Sequence, residues 1–128
     1  MSDIRYHLQI SEAPTFSGIG GVVKRVVHPT VTGSKTLGCS VSYLSPGEEF
    51  KEHRHHWEEA FYVVQGKAYV TIEGSPEEII AEPGMIVYIP GNAKHYTKNI
   101  GDEPVILVCP VAPPPDGGII LTEDEEKQ

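Results

Sequence analysis

The sequence predicts an all-β fold, an antiparallel sandwich or barrel built from roughly eight short strands. The 13 glycines and 11 prolines interrupt the chain at short intervals, which suits short strands joined by turns. Between them lie runs rich in β-branched and aromatic residues, and no run has the apolar period of an amphipathic helix. The 128 residues are enough for one core, so a single domain over residues 1–128 is expected.

The N-terminal part of the chain is interpreted as a loop followed by two strands. Residues 1–20 are irregular, and Pro14 with the glycines that follow it marks a loop. Residues 22–27 are rich in valine and predict a strand. Residues 37–44 alternate in character, as a strand does. One face of this strand is predicted to carry Leu37, Cys39, Val41 and Tyr43.

Further strands are predicted where apolar runs are bounded by turn residues. The pair Gln65-Gly66 separates two such runs and predicts a tight hairpin between them. The pairs Pro83-Gly84 and Pro90-Gly91 enclose another run. The predicted strands of this part are residues 60–64, 67–72, 85–89 and 105–109.

The C-terminal segment, residues 110–128, changes character to proline-rich and then acidic. Its prolines favour extended polyproline geometry. Residues 118–121 are predicted to add a last strand, with a dimer interface as one place for it. The acidic run 123–126 is expected to be a solvated, mobile tail.

Composition excludes several classes of function. The formal net charge is -8, with 18 acidic against 10 basic residues, so nucleic acid is not an expected partner. No secretory signal and no run of membrane-spanning length is apparent. The two cysteines, Cys39 and Cys109, form no C-x-x-C pattern, and a disulfide framework is not indicated. A cytoplasmic protein without a membrane partner is expected.

The segment from Gly47 to Glu59 carries the strongest chemical signal. His53 and His55 are two residues apart, so in an extended strand both imidazoles point to one side. Glu59 has the same parity and adds a carboxylate from the start of the next strand. Two imidazoles and a carboxylate on one face predict a site for a divalent transition metal ion, with iron, manganese, nickel, copper or zinc as candidates.

The spacing extends beyond these three residues. G-x5-H-x-H-x3-E-x6-G runs from Gly47 to Gly66, and it resembles the first conserved motif of the cupin superfamily at every fixed position. A stretch beginning at Gly84 resembles the second cupin motif, G-x5-P-x-G-x2-H-x3-N. It matches at Gly84, Pro90, His95 and Asn99, while Asn92 takes the place of a glycine. Asparagine tolerates the left-handed backbone that a turn needs there.

The resemblance implies a specific fold and ligand set. The fold is the antiparallel double-stranded β-helix, the jelly-roll or cupin barrel. One metal ion is expected inside the barrel, held by His53, His55, Glu59 and His95. Four protein ligands leave positions open on a five- or six-coordinate ion, as a catalytic site requires.

Residues near the motif are candidates for direct action on a substrate. Lys51 shares parity with His53 and is a candidate to meet a substrate carboxylate or to act as a base. Tyr43 is a candidate to present its hydroxyl near the metal. The alternatives are a rim lysine in solvent and a core tyrosine bonded to the backbone. Phe61 is expected in the apolar wall, and Trp57 at the barrel mouth or a subunit contact.

Three hypotheses of function follow for a small-molecule ligand. The first is a metal-dependent enzyme that acts on a small polar molecule at the three-histidine, one-glutamate site. Its favoured chemistry is that of an oxidoreductase, a non-haem dioxygenase, and the alternative is that of a non-redox lyase, decarboxylase, isomerase or epimerase. The second is a barrel that binds a small ligand without catalysis. The third, a purely structural protein, fits poorly with four inward ligands. A homodimer is expected, because edge strands of a small barrel favour pairing.

Overall fold

The structure is a computed structural model, and it describes residues 3–126. Two antiparallel sheets contain nearly all of the regular structure. The strands are β1 (Thr15–Phe16), β2 (Val22–Val27), β3 (Gly38–Leu44), β4 (Glu49–Arg54), β5 (Glu58–Gln65), β6 (Ala68–Ile72), β7 (Ile79–Ala81), β8 (Ile86–Ile89), β9 (His95–Asn99), β10 (Val105–Ala112) and β11 (Ile120–Leu121). One 3-10 turn, Ile10–Glu12, and a short helix α1, Thr122–Glu125, complete the regular structure of residues 3–126.

The chain winds back and forth between the two sheets. The first sheet has the order β1-β2-β3-β10-β5-β8, and the second has the order β11-β4-β9-β6-β7. From β3 to β6 each successive strand changes sheet, and the chain changes sheet again at each strand from β8 to β11. Inward side chains of both sheets form one apolar core, which includes Leu44, Phe50, Phe61, Val70 and Leu107. This winding confirms the predicted all-β double-stranded β-helix.

The predicted hairpin at Gln65-Gly66 is wrong. β5 pairs with β8 and β10 in one sheet, whereas β6 pairs with β7 and β9 in the other. Gly66 has φ +92° and is packed so tightly that a Cβ atom there would lie 2.8 Å from Val105 Cα. The glycine turns the chain through a corner between the sheets, because only a residue without a side chain fits there.

The predicted face of β3 also differs from the structure. Ser42 lies opposite Leu107 and Ser40 opposite Cys109, and Leu107 and Cys109 are buried in the core. Residues directly opposite each other share a face, so the serines point inward. Tyr43, one residue out of phase, is on the outer face, and Leu37 precedes the strand and is 54% exposed.

The C-terminal segment is more ordered than its composition suggested. β10 continues through Pro110 to Ala112, and β11 pairs with β4 of the same chain. In α1, Glu123 binds Lys51 at 3.2 Å and Glu125 binds Arg54 at 3.0 Å. Much of the acidic run thus lies in a short helix joined to β4 by two ion pairs, while residues 127 and 128 lie outside the described part. No helix within residues 3–126 has the length and apolar character needed to cross a lipid bilayer.

Candidate metal centre

Strand pairing brings three histidines together inside the barrel. His53, near the end of β4, lies directly opposite His95, the first residue of β9. His55 follows on the same side of the chain. All three are buried, with exposed fractions of 3–4%. One ring nitrogen from each lies within 4.8 Å of the other two, so this trio has the spacing of metal ligands.

Backbone carbonyls fix the orientation of the three rings. The Nδ1 atoms lie 2.6 Å from Lys51 O for His53, 3.0 Å from Trp57 O for His55 and 2.9 Å from Ala93 O for His95. A carbonyl oxygen only accepts hydrogen bonds, so each Nδ1 carries the proton and donates it. The Nε2 lone pair of each ring is thereby left for a ligand. Bonds of this kind are what orient metal-binding histidines.

Glu59 extends this cluster from the other sheet. Its Oε1 lies 3.1 Å from His55 Nε2 and 3.9 Å from His95 Nε2, and its side chain is 18% exposed. With His55 protonated on Nδ1, both Oε1 and Nε2 carry lone pairs that face each other. Such a contact is favourable only when a proton or a cation shares it. The donor set therefore fits a divalent metal ion.

The charge states of these groups suit metal binding. Burial, together with the neighbouring His95, lowers the pKa of His53 to about 4. Burial also lowers the pKa of His95. Burial of Glu59 acts to raise its pKa, but its close contacts with the imidazoles of His55 and His95 outweigh this and hold the pKa below its usual value. At neutral pH, His53 and His95 are neutral and the carboxylate is ionised, as metal ligands must be.

The histidines and Glu59 line a narrow cavity of about 80 Å³ between the sheets. Its wall is mostly apolar. The Trp57 ring stacks on the His55 ring with centroids 4.3 Å apart and an angle of 5° between planes. Trp57 is only 2% exposed, so it supports the site from within the barrel. The apolar wall includes Phe61, as expected, together with Phe50, Ile89, Leu107 and Val111.

A second pocket of about 200 Å³, called the mouth, adjoins this cavity and shares part of its wall. Six residues line both spaces, and the mouth adds residues from the N-terminal loop and from the segment after Pro115. The C-terminal segment, held to β4 by Glu123 and Glu125, thus borders the entrance. The shared residues are Phe16, Ile19, Arg25, Trp57, Pro115 and Ile119.

The structure does not bring Tyr43 or Lys51 to the histidine cluster. Neither residue lines the cavity. Tyr43 lies on the outer face of β3, opposite Ile106, and the Lys51 ammonium binds Glu123. His56, expected to face away, is exposed and contacts Asp116 at 2.8 Å.

Sequence reasoning missed the inward polar residues of β2 and β3. Ser40, Ser42 and Arg25 line the cavity instead. The sequence clue to Arg25 is that it is a charged residue within a strand made mostly of valines. In the structure the side chains of Val23, Arg25 and Val27 line the cavity. Whether that face or the opposite one points inward depends on strand pairing, which a single sequence does not reveal.

Comparison with known proteins agrees with this architecture. A family model described as Cupin domain matches residues 40–111. The chain is 32% identical to polyketide synthase CurC of Streptomyces cyaneus, over 81% of this chain and 69% of CurC. It is 33% identical to protein SchB of Streptomyces halstedii, over 84% of this chain and 80% of SchB.

A solved structure resembles the barrel closely. The oxalate decarboxylase of Lactobacillus farciminis, determined as a formate complex, superposes with a TM-score of 0.81 and 26% sequence identity. The match covers 95% of this chain and 37% of that longer chain. The similarity therefore extends over nearly the whole barrel described above.

Proposed function

This chain belongs to the cupin family, and from that premise we propose that it is a metal-dependent enzyme that transforms a small oxygen-bearing organic molecule without net oxidation. Lyase, decarboxylase or cyclase chemistry at a carbonyl or carboxylate group is the class we favour. The observation that carries this proposal is the cluster of three fixed imidazoles and Glu59 at the inner end of an open cavity.

The donor set supports the metal requirement. His53, His55, His95 and Glu59 would hold one divalent ion, and the fixed Nδ1 bonds leave the Nε2 atoms for it. When bound, such an ion supplies Lewis acidity that stabilises negative charge developing on a substrate oxygen. The ligands suit iron, manganese, nickel, copper and zinc, so the ion is not assigned by the residues alone.

The protein wall supplies orientation and exclusion of water. Phe61, Ile89 and Leu107 surround the site with apolar surface, which strengthens electrostatic interactions inside the cavity. Ser42 lines the cavity from the sheet opposite the histidines. Its hydroxyl, 3.6 Å from Cys109 Sγ, offers a hydrogen bond to a substrate oxygen.

The comparisons support non-redox chemistry over oxygenase chemistry. Of the proteins compared above, one is named an oxalate decarboxylase and one a polyketide synthase. Dioxygenase activity is the second candidate, because three histidines and one glutamate also suit a redox-active ion. A barrel that binds a small ligand without turnover is the third.

Elemental analysis of tag-free protein tests the metal centre first. We expect near-stoichiometric transition metal in the wild-type protein and loss of it in the His53→Ala, His95→Ala variant. His56→Ala is the matched control, because this neighbouring histidine is exposed and points away from the cluster. Metal-free wild-type protein, even after reconstitution with each candidate ion, would remove the proposal.

Turnover then separates the three functions. Reconstituted protein is incubated with small keto acids and carboxylates under nitrogen and under air, and products are followed by mass spectrometry and carbon dioxide release. Conversion under nitrogen that requires His53 supports lyase or decarboxylase chemistry. Conversion only with oxygen uptake indicates the dioxygenase, and saturable binding without conversion indicates the binding barrel.

A further inference from the structure

We propose that Arg25 binds the anionic group of the substrate and makes this cavity selective for small organic anions with an apolar body. The inference rests on the proposed function and names its substrate class. Arg25 lines both the inner cavity and its mouth. It therefore borders both the space that holds the histidine cluster and the pocket that adjoins it.

The strand register places the guanidinium on the inner face of the sheet. Val23 is paired with Ser42 and Arg25 with Ser40, and all four of these residues line the cavity. Lys24, between them in sequence, belongs to the outer face, and its ammonium donates to Thr15 Oγ1 at 3.0 Å. Arg25 is half-buried, so its charge is only partly hydrated.

Other cations of the barrel are not available to a ligand in the cavity. The ammonium of Lys51 and the guanidinium of Arg54 bind the carboxylates of Glu123 and Glu125. Within residues 3–126, Arg25 is the one lysine or arginine that lines the inner cavity. A guanidinium in a mostly apolar wall matches the planar oxygens of a carboxylate with paired donors.

The net charge of the metal centre also favours the binding of an anion. With a divalent ion bound, three neutral imidazoles and an ionised Glu59 leave one net positive charge at the centre, and Arg25 adds a second, which Asp124 at the mouth partly offsets. A protein with a formal net charge of -8 thus concentrates positive charge inside one cavity. Anions are attracted to such a site, and neutral analogues of the same shape are not.

The test compares benzoate with its neutral isostere benzamide. Both are titrated by heteronuclear NMR into the full chain, as purified and after metal removal. In the wild-type protein we expect saturable benzoate binding and at least tenfold weaker benzamide binding. Arg25→Met should weaken benzoate binding at least tenfold and leave benzamide unchanged, and Arg25→Lys should fall between. Lys24→Met, the outward neighbour, should match the wild-type protein.

A structural role for Arg25 predicts a different pattern. Asp124 lines the mouth together with Arg25, and if Arg25 only held the C-terminal segment through that carboxylate, Asp124→Asn would reproduce the loss of benzoate binding. We expect Asp124→Asn to bind benzoate at least as tightly as the wild-type protein. Equal benzoate affinity in Arg25→Met, or no benzoate binding in the wild-type protein, would overturn the inference.

The two proposals fail separately in this design. Arg25-dependent benzoate binding by a protein that takes up no metal would remove the proposed function and leave the anion site. Stoichiometric metal with benzoate binding that ignores Arg25 would remove the anion site alone. Metal content measured on each Arg25 variant also shows whether the substitution has disturbed the fold.

Discussion

His53 is 4% exposed, and its burial beside His95 lowers its pKa to about 4 from an ordinary value of 6.5. Between pH 4 and pH 6.5, the unfolded chain therefore carries a proton on His53 that the folded, metal-free protein does not carry. Neutral His53 therefore makes its full contribution to the free energy of unfolding above pH 6.5, and this contribution is lost as the pH falls through 4. We expect the free energy of unfolding of metal-free protein to decrease by about 3 kcal/mol from this residue, measured by urea denaturation across that range.

A comparison of His53→Gln with His56→Gln tests whether His53 causes this dependence of the free energy of unfolding on pH. His53→Gln removes the titrating ring, so the fall in stability on acidification should become smaller. His56→Gln removes an exposed histidine and should keep the wild-type slope. An unchanged slope in His53→Gln would show that other groups control the acid response.

Glu59 decides whether the centre has three ligands or four. The three histidines have the mutual spacing of ligands, and the carboxylate lies against two of them. If the carboxylate is a ligand, Glu59→Gln should weaken metal affinity at least tenfold, since an amide oxygen is a poorer ligand for a transition metal. Competition with a chromophoric chelator measures this affinity.

Glu58→Gln is the control for Glu59→Gln. Glu58 is the adjacent residue of β5, exposed and bonded to Tyr88 on the outer face. Its substitution should leave metal affinity unchanged. Equal affinity in both variants would restrict the centre to the three histidines.

Residue identity and spacing predicted the histidine cluster but not the rest of the cavity wall. His53 and His55 share a side because side chains alternate along a strand, and His95 was placed by the second motif. Arg25 and Ser42 were missed, and Tyr43 was placed on the wrong face. Their orientation depends on the pairing of β2 with β3 and of β3 with β10, a long-range property that local alternation does not contain.

Among the strands and turns, the corner at Gly66 gives the sharpest prediction. An added Cβ would approach Val105 Cα to 2.8 Å, and the residue also has φ +92°. Gly66→Ala therefore combines backbone strain with a clash and should destabilise the fold by about 2–4 kcal/mol. The measurement is the midpoint of urea denaturation, converted with the slope of the transition.

Gly74→Ala is the matched control for this corner. Gly74 has φ +91°, but a Cβ there meets no atom of residues 3–126 within 4 Å. The substitution retains the strain without the clash, so it should cost about 1–2 kcal/mol. Equal destabilisation by both substitutions would mean that the packing at Gly66 relaxes freely.

The strands themselves were easier to predict than their connections. The valine-rich run and the apolar runs that became β5, β6, β8 and β10 were recognised from composition and turn residues. A Gln-Gly turn, however, suits either a hairpin or a corner, since both need a positive φ at the glycine. Contacts between distant residues, such as the hydrogen bond from Gln65 to Pro104, 39 residues away, distinguish a corner from a hairpin. Rules based on neighbouring residues do not predict such contacts.

At the scale of the whole molecule, the winding of one chain through two sheets explains the site. His53 and His95 come from one sheet and Glu59 from the other, so the ligands meet only when the barrel closes. The same winding leaves β8 as the edge of its sheet. The predicted barrel was therefore sufficient to bring the candidate ligands together, whereas the lining of the mouth depends on the terminal segments.

We propose that the expected homodimer forms through the outer face of β5 and β8. Tyr62, Val64, Ile86 and Tyr88 are 45%, 48%, 71% and 55% exposed, and Tyr62 lies directly opposite Ile86. An exposed apolar patch beside a free edge strand is typical of an interface. We expect a second copy of the chain to cover it, and light scattering should give twice the chain mass.

Charge substitution at the centre of this patch tests the assignment. Tyr62→Lys with Ile86→Lys should raise the dimer dissociation constant at least tenfold, because two lysines per chain would be buried without partners. Leu37→Lys is the control, since Leu37 is 54% exposed but lies before β3, outside the patch. Circular dichroism confirms that the variants remain folded. A wild-type mass equal to one chain contradicts the dimer, and a dimer that survives both lysines moves the interface to another face of the barrel.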